Sequence, residues 1–443
     1  MTIEINDQFK EAFSRLEKSN ESLFLTGNAG TGKSTFLTYF KKKTKKKVVV
    51  LAPTGVAALN VKGQTIHSFF GFPPDIRPEK VQHEKATKGL LEILKHLDVI
   101  VIDEVSMVRA DLMDCVDEAL KSFLQTPEPF GGIQMVFIGD LHQLPPVVVG
   151  PEERQRFQTE YASPYFFDAK VFEFQRFDIF ELQKIYRQKD GDFVQILNKI
   201  RHNKAAPPDF QLLNSKVLPD PVAFHNTDHS HITLTTTNKA ADEINALRLE
   251  KLPSHTETYE AKFSGEFETR NHPTSSNLRL KKGAQVMMLN NDSAGRWVNG
   301  SIGKITKIEF DLGSCEDILH IKLEGEGKEE GKMVEVDAYT WELHKYYWDP
   351  EKNEMEMDTI GTFRQYPLRL AWAITIHKSQ GKTFEKVVVD MGNGAFAHGQ
   401  VYVALSRCRT LGGLLLQTPI QRRHIWSNRR VEHFQKFVSR ESP

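Results

Sequence analysis

Short runs of consecutive apolar residues recur along this chain of 443 residues, and most of them stand between turn-forming residues. Runs of this kind are typical of parallel strands that are buried on both faces. Parallel strands need helical crossovers, and the segments between the runs are long enough to supply them. The predicted strands are Ser22–Thr26, Val48–Ala52, Val99–Ile102, Met135–Ile138, Ile232–Thr236, Val387–Val389 and Leu414–Leu416.

A different pattern occupies the region from about residue 255 to residue 365. Apolar and polar residues alternate there, and Gly, Asn and Asp interrupt the alternation. This period of two is typical of antiparallel strands with one solvated face. The sequence therefore predicts an α/β protein with two P-loop-type lobes and a small β-barrel inserted in the second. The predicted first lobe spans 1–180, the second 181–254 and 366–443, and the barrel 255–365.

Composition and charge narrow the class of protein. Lysine plus arginine equals aspartate plus glutamate at 58 each, so the chain lacks the overall basic excess that is usual for nucleic-acid binders. A local basic groove is still compatible with this balance. No apolar run is long enough to span a membrane, and the N-terminus has no signal core. Three widely spaced cysteines form neither a disulfide framework nor a zinc pattern, which favours a reducing, intracellular compartment.

The clearest chemical signal is a glycine-rich segment between a predicted strand and a predicted helix. It matches G-x-x-x-x-G-K-[ST] at every fixed position. In this motif, backbone N–H groups and a helix N-terminus face phosphate oxygens. Lys33 is expected to reach the β- and γ-phosphates of ATP, and the Ser34 hydroxyl is expected to ligate Mg²⁺. The predicted nucleotide-binding residues here are Gly27, Asn28, Ala29, Gly30, Thr31, Gly32, Lys33, Ser34 and Thr35.

Two acidic residues, Asp103 and Glu104, directly follow the apolar run Val99–Ile102. A buried strand delivers such carboxylates to its C-terminal edge, where ligands bind in parallel sheets. We expect Asp103 to hold Mg²⁺ through its water shell. Glu104 is the candidate base that polarises the attacking water.

Three further residues are candidates for phosphoryl-transfer chemistry. Gln143, after the strand that ends at Ile138, either positions the attacking water or faces solvent in a proline-rich loop. Arg187 and Arg407 are candidate cations from the second lobe that would stabilise the transferring phosphoryl group. Spacing alone is weak evidence for either arginine.

Nine segments in order, from Gly27 to about Thr410, resemble the motifs of superfamily 1 helicases: GNAGTGKST, APTGVAA, TIHSFF, VIDEVSMV, GDLHQLPPV, KIYRQKDGDFVQILNKIR, TLTTTNKAADEIN, WAITIHKSQGKTF and VYVALSRCRT. The chain is most similar to the petite-integration-frequency (Pif) family of DNA helicases, relatives of RecD. The resemblance implies two RecA-like lobes, an SH3-like insertion at 255–365, and an ATP-dependent helicase that moves 5′ to 3′.

The resemblance also implies residue roles. Gln143 becomes the glutamine that contacts the γ-phosphate, and Arg187 and Arg407 become the two arginine fingers. The other nucleotide-site residues that it implies are Gln8, which would recognise adenine, and Gln380 with Gly381, which would link nucleotide state to the grip on DNA.

The resemblance places single-stranded DNA across the tops of both lobes, held through phosphates and stacked bases and so with tolerance of sequence. The expected partners are single-stranded DNA and forked duplex DNA. G-quadruplex DNA and RNA–DNA hybrids stay open, and the DNA-free protein is expected to be a monomer. The implied DNA-contacting residues are Pro53, Thr54, Gly55, His67, Thr235, Thr236, Thr237, Asn238, His377 and Lys378.

Two segments allow a structural and a functional interpretation. Phe69, Phe70 and Phe72 stand in a stretch at about 64–77 and precede two prolines. These rings either pack into the core or, as the resemblance favours, form a wedge that contacts the strand junction of a DNA fork. The six lysines in 41–47 are better explained as a solvated helix end than as a nucleic-acid contact.

Three functions fit a P-loop chain of this kind. The first is a DNA helicase, and the second is a DNA-dependent ATPase that remodels protein–DNA complexes with little unwinding. The third is a P-loop switch such as a GTPase. Asn238-Lys239 is similar to the guanine-reading N-K-x-D motif, but the acid falls one residue too late, at Asp242. This mismatch disfavours the switch.

Overall fold

The apolar runs of the first lobe form one parallel sheet in the computed structural model. The structure describes residues 5–82, 85–186, 188, 190–227, 230–267, 272–324, 331–392, 394, 397–426 and 428–434. The strands lie in the order β3-β2-β4-β5-β1-β6 and are all parallel. They are β1 (Leu23–Gly27), β2 (Val48–Ala52), β3 (Gln64–Thr65), β4 (Val99–Ile102), β5 (Gln134–Ile138) and β6 (Asp178–Leu182).

Helices cover both faces of this sheet, which explains why its central strands carry almost no polar residues. One apolar core lies between the sheet and α1 and α2, and a second includes α4, α6 and α7. The helices of the lobe are α1 (Asp7–Lys18), α2 (Lys33–Lys43), α3 (Gly55–Val61), α4 (Ile66–Phe70), α5 (Pro78–Val81), α6 (Lys88–His96), α7 (Ala110–Leu124) and α8 (Pro151–Glu160).

The second lobe begins with helices α9 (Gly191–Arg201), α10 (Pro207–Asn214) and α11 (Pro221–Asn226), strand β7 (Ile232–Thr235) and helix α12 (Asn238–Glu250). The inserted β block follows. Its strands are antiparallel, as the period-two pattern predicted. They are β8 (Glu257–Glu260), β9 (Lys262–Gly265), β10 (Asn277–Leu280), β11 (Gln285–Met288), β12 (Ile302–Asp311), β13 (Glu316–Leu323), β14 (Met333–Val336), β15 (Tyr339–Asp349), β16 (Glu354–Gln365) and β17 (Leu368–Leu370).

The chain then returns to the second lobe with β18 (Ala373–Thr375), β19 (Val387–Asp390), helix α13 (Gln400–Ser406) and β20 (Leu414–Leu416). These strands form a second parallel sheet with β7, in the order β18-β7-β19-β20. Each strand predicted from an apolar run is therefore confirmed to within one residue at its ends. Among the described residues, no helix combines the length and apolar character that a membrane span requires.

A long hairpin, β15–β16, leaves the inserted β block and packs against the first lobe. The hydroxyl oxygen of Tyr346 accepts a hydrogen bond from the backbone N–H of Val50 at 3.1 Å. The backbone N–H of Tyr346 donates to the side-chain oxygen of Gln64 at 3.0 Å. Trp348 stacks on His96 with the ring centroids 4.0 Å apart. The hairpin therefore fills a groove of the first lobe with both polar and aromatic contacts.

The aromatic stretch near residue 70 belongs to the core. Phe69, Phe70 and Phe72 are 6%, 4% and 5% exposed. Phe69 packs edge-on against Tyr346 of the hairpin, with the ring centroids 6.4 Å apart. The interpretation of these rings as an exposed wedge is therefore wrong for this structure. Phe70 packs between Phe69 and Phe72, and Pro74, which follows these buried rings, is exposed.

The lysine-rich segment lies at the end of α2, as predicted, and several of its lysines have structural partners. Lys41 donates to the carbonyl oxygens of Val61 and Lys62, at the end of α3. Lys46 donates to the carbonyl oxygen of Leu16 at 2.7 Å. These contacts satisfy helix-end carbonyls that have no partner within the helix.

The hairpin contact predicts a specific stability effect. Tyr346→Phe removes the acceptor for the buried N–H of Val50, and a buried unpaired donor costs about 1–3 kcal/mol. We expect a lower urea midpoint for the variant, measured by circular dichroism. Tyr339→Phe on the same strand, where the side chain is 41% exposed, is the matched control. Equal midpoints for Tyr346→Phe and wild type would contradict the assigned contact.

Candidate active site and nucleic-acid track

The P-loop connects β1 to α2 and leaves the first turn of that helix accessible. Gly27 ends β1 with φ 148°, and a Cβ there would stand 2.6 Å from the Leu182 carbonyl oxygen. Lys33 donates to the carbonyl oxygens of Gly27 and Asn28 at 2.8 and 3.1 Å. Ser34 is exposed in the first turn of α2. The glycine-rich loop thus lies between strand and helix as predicted, with Lys33 folded back over it, and phosphate binding by this loop stays a prediction.

Two carboxylates follow β4 as predicted and lie beside Lys33. Burial and the charge of Glu104 raise the pKa of Asp103 to about 7. Burial also raises the pKa of Glu104, against the charges of Lys33 and Arg407. The Gln380 side chain donates to Glu104 Oε2 at 3.0 Å, so the second lobe holds the candidate base.

This donor set fits Mg²⁺. The Asp103 carboxylate and the Ser34 hydroxyl are hard oxygen ligands, which Mg²⁺ prefers. Burial is the main cause of the raised pKa of Asp103, and the adjacent charge of Glu104 adds to it. A divalent cation bound at Asp103 would favour the ionised form of this carboxyl.

Gln143 is buried and belongs to an ion-paired network, which excludes the solvent-facing alternative. Its side-chain nitrogen donates to Asp140 Oδ2 at 3.3 Å. The other oxygen of Asp140 accepts from Arg201 at 3.3 Å, and Arg201 also reaches Glu181. Burial opposes ionisation of Asp140, but the charges of Arg201 and Lys33 lower its pKa to about 2. Arg201 ends α9, so this arginine ties the second lobe to Gln143 through Asp140.

The second lobe also touches the outside of the P-loop. The backbone N–H of Ala29 donates to the Tyr402 hydroxyl at 3.0 Å. The side chain of Asn28 donates to Asn198 at 2.8 Å. Sequence reasoning missed Arg201, Tyr402 and Asn198, because their roles depend on contacts across the lobes. Arg201 could have been found from the segment KIYRQKDGDFVQILNKIR, because it is the last residue of that motif.

Arg407 lies at the cleft but is held by its own lobe. It is 1% exposed, and its guanidinium donates to the carbonyl oxygens of Val403 and Lys382 and to the Ser406 hydroxyl. It is nonetheless near enough to Glu104 to oppose the rise of that carboxyl's pKa. Arg407 is therefore close to the acidic pair and is oriented by backbone oxygens.

Arg187 lies outside the described residues, so its role as a finger stays a prediction. The segment around it is anchored at both sides. The backbone N–H of Tyr186 donates to the Gly30 carbonyl oxygen at 2.9 Å, and Gln188 donates to the Ser406 carbonyl oxygen at 2.9 Å. Tyr186 therefore contacts the P-loop, and Gln188 contacts the end of α13.

Gln8 lies in the first turn of α1 beside β6. Its side-chain nitrogen donates to the Glu181 carbonyl oxygen at 3.4 Å, and its oxygen accepts from the Gln183 N–H at 3.1 Å. Both ends of the amide are engaged by backbone, so an adenine contact would have to replace one of them. Recognition of adenine by Gln8 stays a prediction.

The predicted DNA-contacting residues of the two lobes are called the DNA track below. Those of the first lobe lie after β2 and β3. Thr54 is exposed and caps α3, accepting from the Ala57 N–H at 3.2 Å. Pro53 is half-buried and Gly55 is buried next to it. His67 is half-buried in α4. Thr54 is the member of this set whose side chain is open to a ligand.

The track residues of the second lobe follow β7 and β18. Thr237 and Asn238 are exposed at the start of α12, where the Thr237 hydroxyl oxygen accepts from the Ala240 N–H at 3.2 Å. Thr235 is 1% exposed and donates to the Thr237 carbonyl oxygen, so the expectation that its hydroxyl contacts DNA is wrong for this structure. Thr236 and His377 are half-buried, and Gly381 has φ 78° in the loop after β18, where Lys378 is exposed.

A cluster of cations that sequence reasoning missed surrounds Lys378. Burial and the Arg369 guanidinium lower the pKa of Lys382 to about 8. Burial and Arg369 also lower the pKa of Lys378, with Asp242 as the opposing charge. Lys382 donates to Asn299 of the inserted block at 2.5 Å. Burial and the nearby guanidinium of Arg369 thus both disfavour the charged forms of these two lysines, and a bound anion would favour those forms.

The fold and the site together define a class of protein: a P-loop nucleoside triphosphatase with two RecA-like lobes and the motif order of superfamily 1 helicases. The sequence model of the PIF1-like helicase family matches residues 3–211. The chain is 31% identical to the ATP-dependent DNA helicase Pif1 of Bdellovibrio bacteriovorus, over 94% of this chain and 88% of that protein. The chain belongs to the PIF1-like helicase family.

A fungal relative is longer. The chain is 32% identical to the ATP-dependent DNA helicase PIF1 of Emericella nidulans over 91% of its own length, and spans 59% of the length of that protein.

Solved structures of a Bacteroides Pif1 helicase share the fold. The complex with ADP-AlF4 has a TM-score of 0.88 at 34% identity, with 99% of this chain and 98% of that chain covered. The same helicase bound to single-stranded DNA has a TM-score of 0.68 at the same identity and coverage. The arrangement of this chain is therefore closer to that of the ADP-AlF4 complex than to that of the complex with single-stranded DNA.

The network through Arg201 predicts a change in turnover. Arg201→Lys keeps one charge but cannot bridge Asp140 and Glu181 as a guanidinium does. Asp140, the hydrogen-bond partner of Gln143, is then no longer held in place by a guanidinium. We therefore expect DNA-stimulated kcat for ATP to fall roughly tenfold or more with little change in KM, as when a residue that orients a site residue is lost. Steady-state ATPase measurements check this.

Arg156→Lys provides the matched control. Arg156 also bridges two carboxylates, Asp111 and Glu153, but within the first lobe and away from the cleft. Equal loss of kcat in both variants would assign Arg201 to stability alone.

Proposed function

We propose that this chain is an ATP-dependent DNA helicase that moves 5′ to 3′ on single-stranded DNA and unwinds duplex. One observation carries the proposal: a single loop after β18 reaches both the candidate base and the cation cluster. Gln380 donates to Glu104, and the same loop carries Lys378, which is exposed, and Lys382, which donates to Asn299 of the inserted block. Movement of this loop would change the catalytic centre and the grip on DNA together.

The residues support hydrolysis as follows. Lys33 would leave the P-loop carbonyls and bind the β- and γ-phosphates, while α2 presents its N-terminal amides. Mg²⁺, held through Ser34 and Asp103, would neutralise charge on the phosphates. Glu104, kept in place by Gln380, would accept a proton from the attacking water. Gln143, fixed by Asp140, would orient that water.

Arg407 would complete the site on lobe closure. Its hydrogen bonds to backbone oxygens of the second lobe hold the guanidinium beside the acidic pair. A small movement of that lobe would bring its charge towards the γ-phosphate, where it stabilises the transition state. Arg187 is the second finger in this proposal, and Gln8 the adenine contact.

DNA would bind along the exposed polar residues at the carboxyl ends of the strands. Thr54 and Pro53 would serve the first lobe, and Thr236, Thr237 and Asn238 the second, with His67 and His377 beside them. A Bacteroides relative has been solved with single-stranded DNA and at forked duplex DNA. We extend both partners to this chain, include G-quadruplex DNA among its substrates, and propose a monomer as its DNA-free state. Three free cysteines support an intracellular location.

A DNA-dependent ATPase that remodels protein–DNA complexes is the second candidate. It would use every residue of the site described above, because translocation and unwinding share one ATP cycle. The burial of Phe69, Phe70 and Phe72 favours this candidate, because these rings were the expected wedge for separating strands. Strand separation is the readout that decides between the two.

The proposal predicts polarity in a strand-displacement assay. A duplex with a 5′ single-stranded tail should be unwound in the presence of ATP, and one with only a 3′ tail should not. Glu104→Gln should lower ATP turnover and unwinding by about 100-fold or more while single-strand binding persists, because the base is lost and the track is unchanged. Preference for the 3′ tail would overturn the assigned direction, and ATP turnover without strand separation would favour the remodelling ATPase.

The cation cluster predicts a pH dependence of DNA binding. The pKa of Lys382 is lowered to about 8, so its charge is lost as pH rises through that value. A phosphate binds the charged form, so affinity for single-stranded DNA should be roughly tenfold weaker at about pH 9 than at about pH 7. Fluorescence anisotropy at constant ionic strength measures this. Lys382→Arg, which stays charged, should flatten the profile, and an unchanged slope in that variant would remove Lys382 from the DNA site.

A further inference from the structure

A short segment after the last strand of the second lobe concentrates positive charge on a chain whose charges balance overall. Residues 417–431 include four arginines and no acidic residue. Arg430 pairs with Asp168 of the first lobe. Arg422, Arg423 and Arg429 are exposed, and no described carboxylate forms an ion pair with any of them. Arg422 donates to the Asn203 carbonyl oxygen at 3.2 Å, which holds its guanidinium at the surface, and its other N–H groups and those of Arg423 and Arg429 can donate to an anionic partner.

An aromatic side chain lies within the same segment. Trp426 is 44% exposed, and its ring centroid lies 6.0 Å from that of His398. His424 adds little charge, because burial and the neighbouring Arg423 lower its pKa and its ring accepts a hydrogen bond from the Gln421 N–H. We call Arg422, Arg423, Arg429 and Trp426 the arginine patch. Exposed arginines and an exposed indole ring in one short segment suit a single strand, which offers phosphates and unpaired bases.

The arginine patch is connected to the DNA track of the second lobe. The segment follows the carboxyl end of β20, as Thr236 follows that of β7, and the two strands flank β19 in one parallel sheet. The loop after β19 joins them: a Cβ on Gly392 would lie 3.7 Å from the Thr236 hydroxyl, and one on Gly394 3.4 Å from the His424 ring. Two glycines of this loop therefore contact Thr236 of the track on one side and His424 of the segment on the other.

We propose that the arginine patch is an additional binding site for the single strand that runs over the second lobe. This inference rests on the proposed function, because it requires a single strand already bound at the DNA track. The guanidinium groups bind phosphates beyond those held at Thr236 and Asn238, and the Trp426 ring stacks on a base. Because the contacts are to backbone and base faces, the site lengthens the bound strand without adding sequence preference.

Oligothymidines of two lengths test the site in the full chain with fluorescence anisotropy. Arg423→Ala/Arg429→Ala should bind a strand of about 20 nucleotides on the order of tenfold more weakly than wild type at about 0.1 M salt, with a salt slope shallower by about 1.4 for two lost phosphate contacts. Affinity for a strand of about 8 nucleotides, which occupies only the track, should change little. Arg423→Lys/Arg429→Lys should keep most of the salt slope, because the charges remain.

Arg154→Ala/Arg279→Ala is the matched control, since it removes two exposed arginines from the first lobe and the inserted block. It should bind both strands as wild type does. A patch variant that binds both lengths like wild type, or loses affinity for both equally, overturns the additional site. Failure of wild type to bind either strand would instead refute the proposed function. Circular dichroism melting confirms that the variants fold.

Discussion

Burial of the Glu104 carboxylate between the two lobes is the constraint on which the site depends. A buried charge must find partners, and this one finds Lys33 of the P-loop, Gln380 of the second lobe and the nearby charge of Arg407. The two lobes therefore cannot separate without removing partners from the acidic residue. ATP and its metal would take over those interactions, so nucleotide chemistry and lobe position are governed by the same electrostatics.

The inserted β block adds a second connection between the lobes. Its hairpin buries Tyr346 in the first lobe and covers Phe69, while Lys382 of the second lobe bonds to Asn299 of the block. The similarity to the ADP-AlF4 complex of the Bacteroides helicase is greater than that to its complex with single-stranded DNA.

Several site residues could be identified from sequence, and others could not. The phosphate cradle, Asp103, Glu104 and Gln143 were predicted, because each follows a buried strand at a fixed motif position. Arg201, Tyr402 and Lys382 were missed, since a lone arginine, tyrosine or lysine in a helix or loop carries no spacing signal. Thr235 and the three phenylalanines were assigned to DNA by motif, whereas the structure buries all four side chains. The Thr235 hydroxyl donates to the Thr237 carbonyl oxygen, and Phe69 packs against Tyr346 of the hairpin.

The sequence by itself determined the strands, the lobe order, the inserted antiparallel block and the nucleotide chemistry. These depend on local periodicity and on motifs whose atoms lie close together along the chain. Tertiary structure decided which residues cross between lobes, which rings are core, and where cations gather. Those outcomes depend on pairs such as Asp140 and Arg201, far apart in sequence and 3.3 Å apart in space. The burial and the charged partners of such residues depend on how whole lobes pack together, and local sequence patterns do not encode that packing.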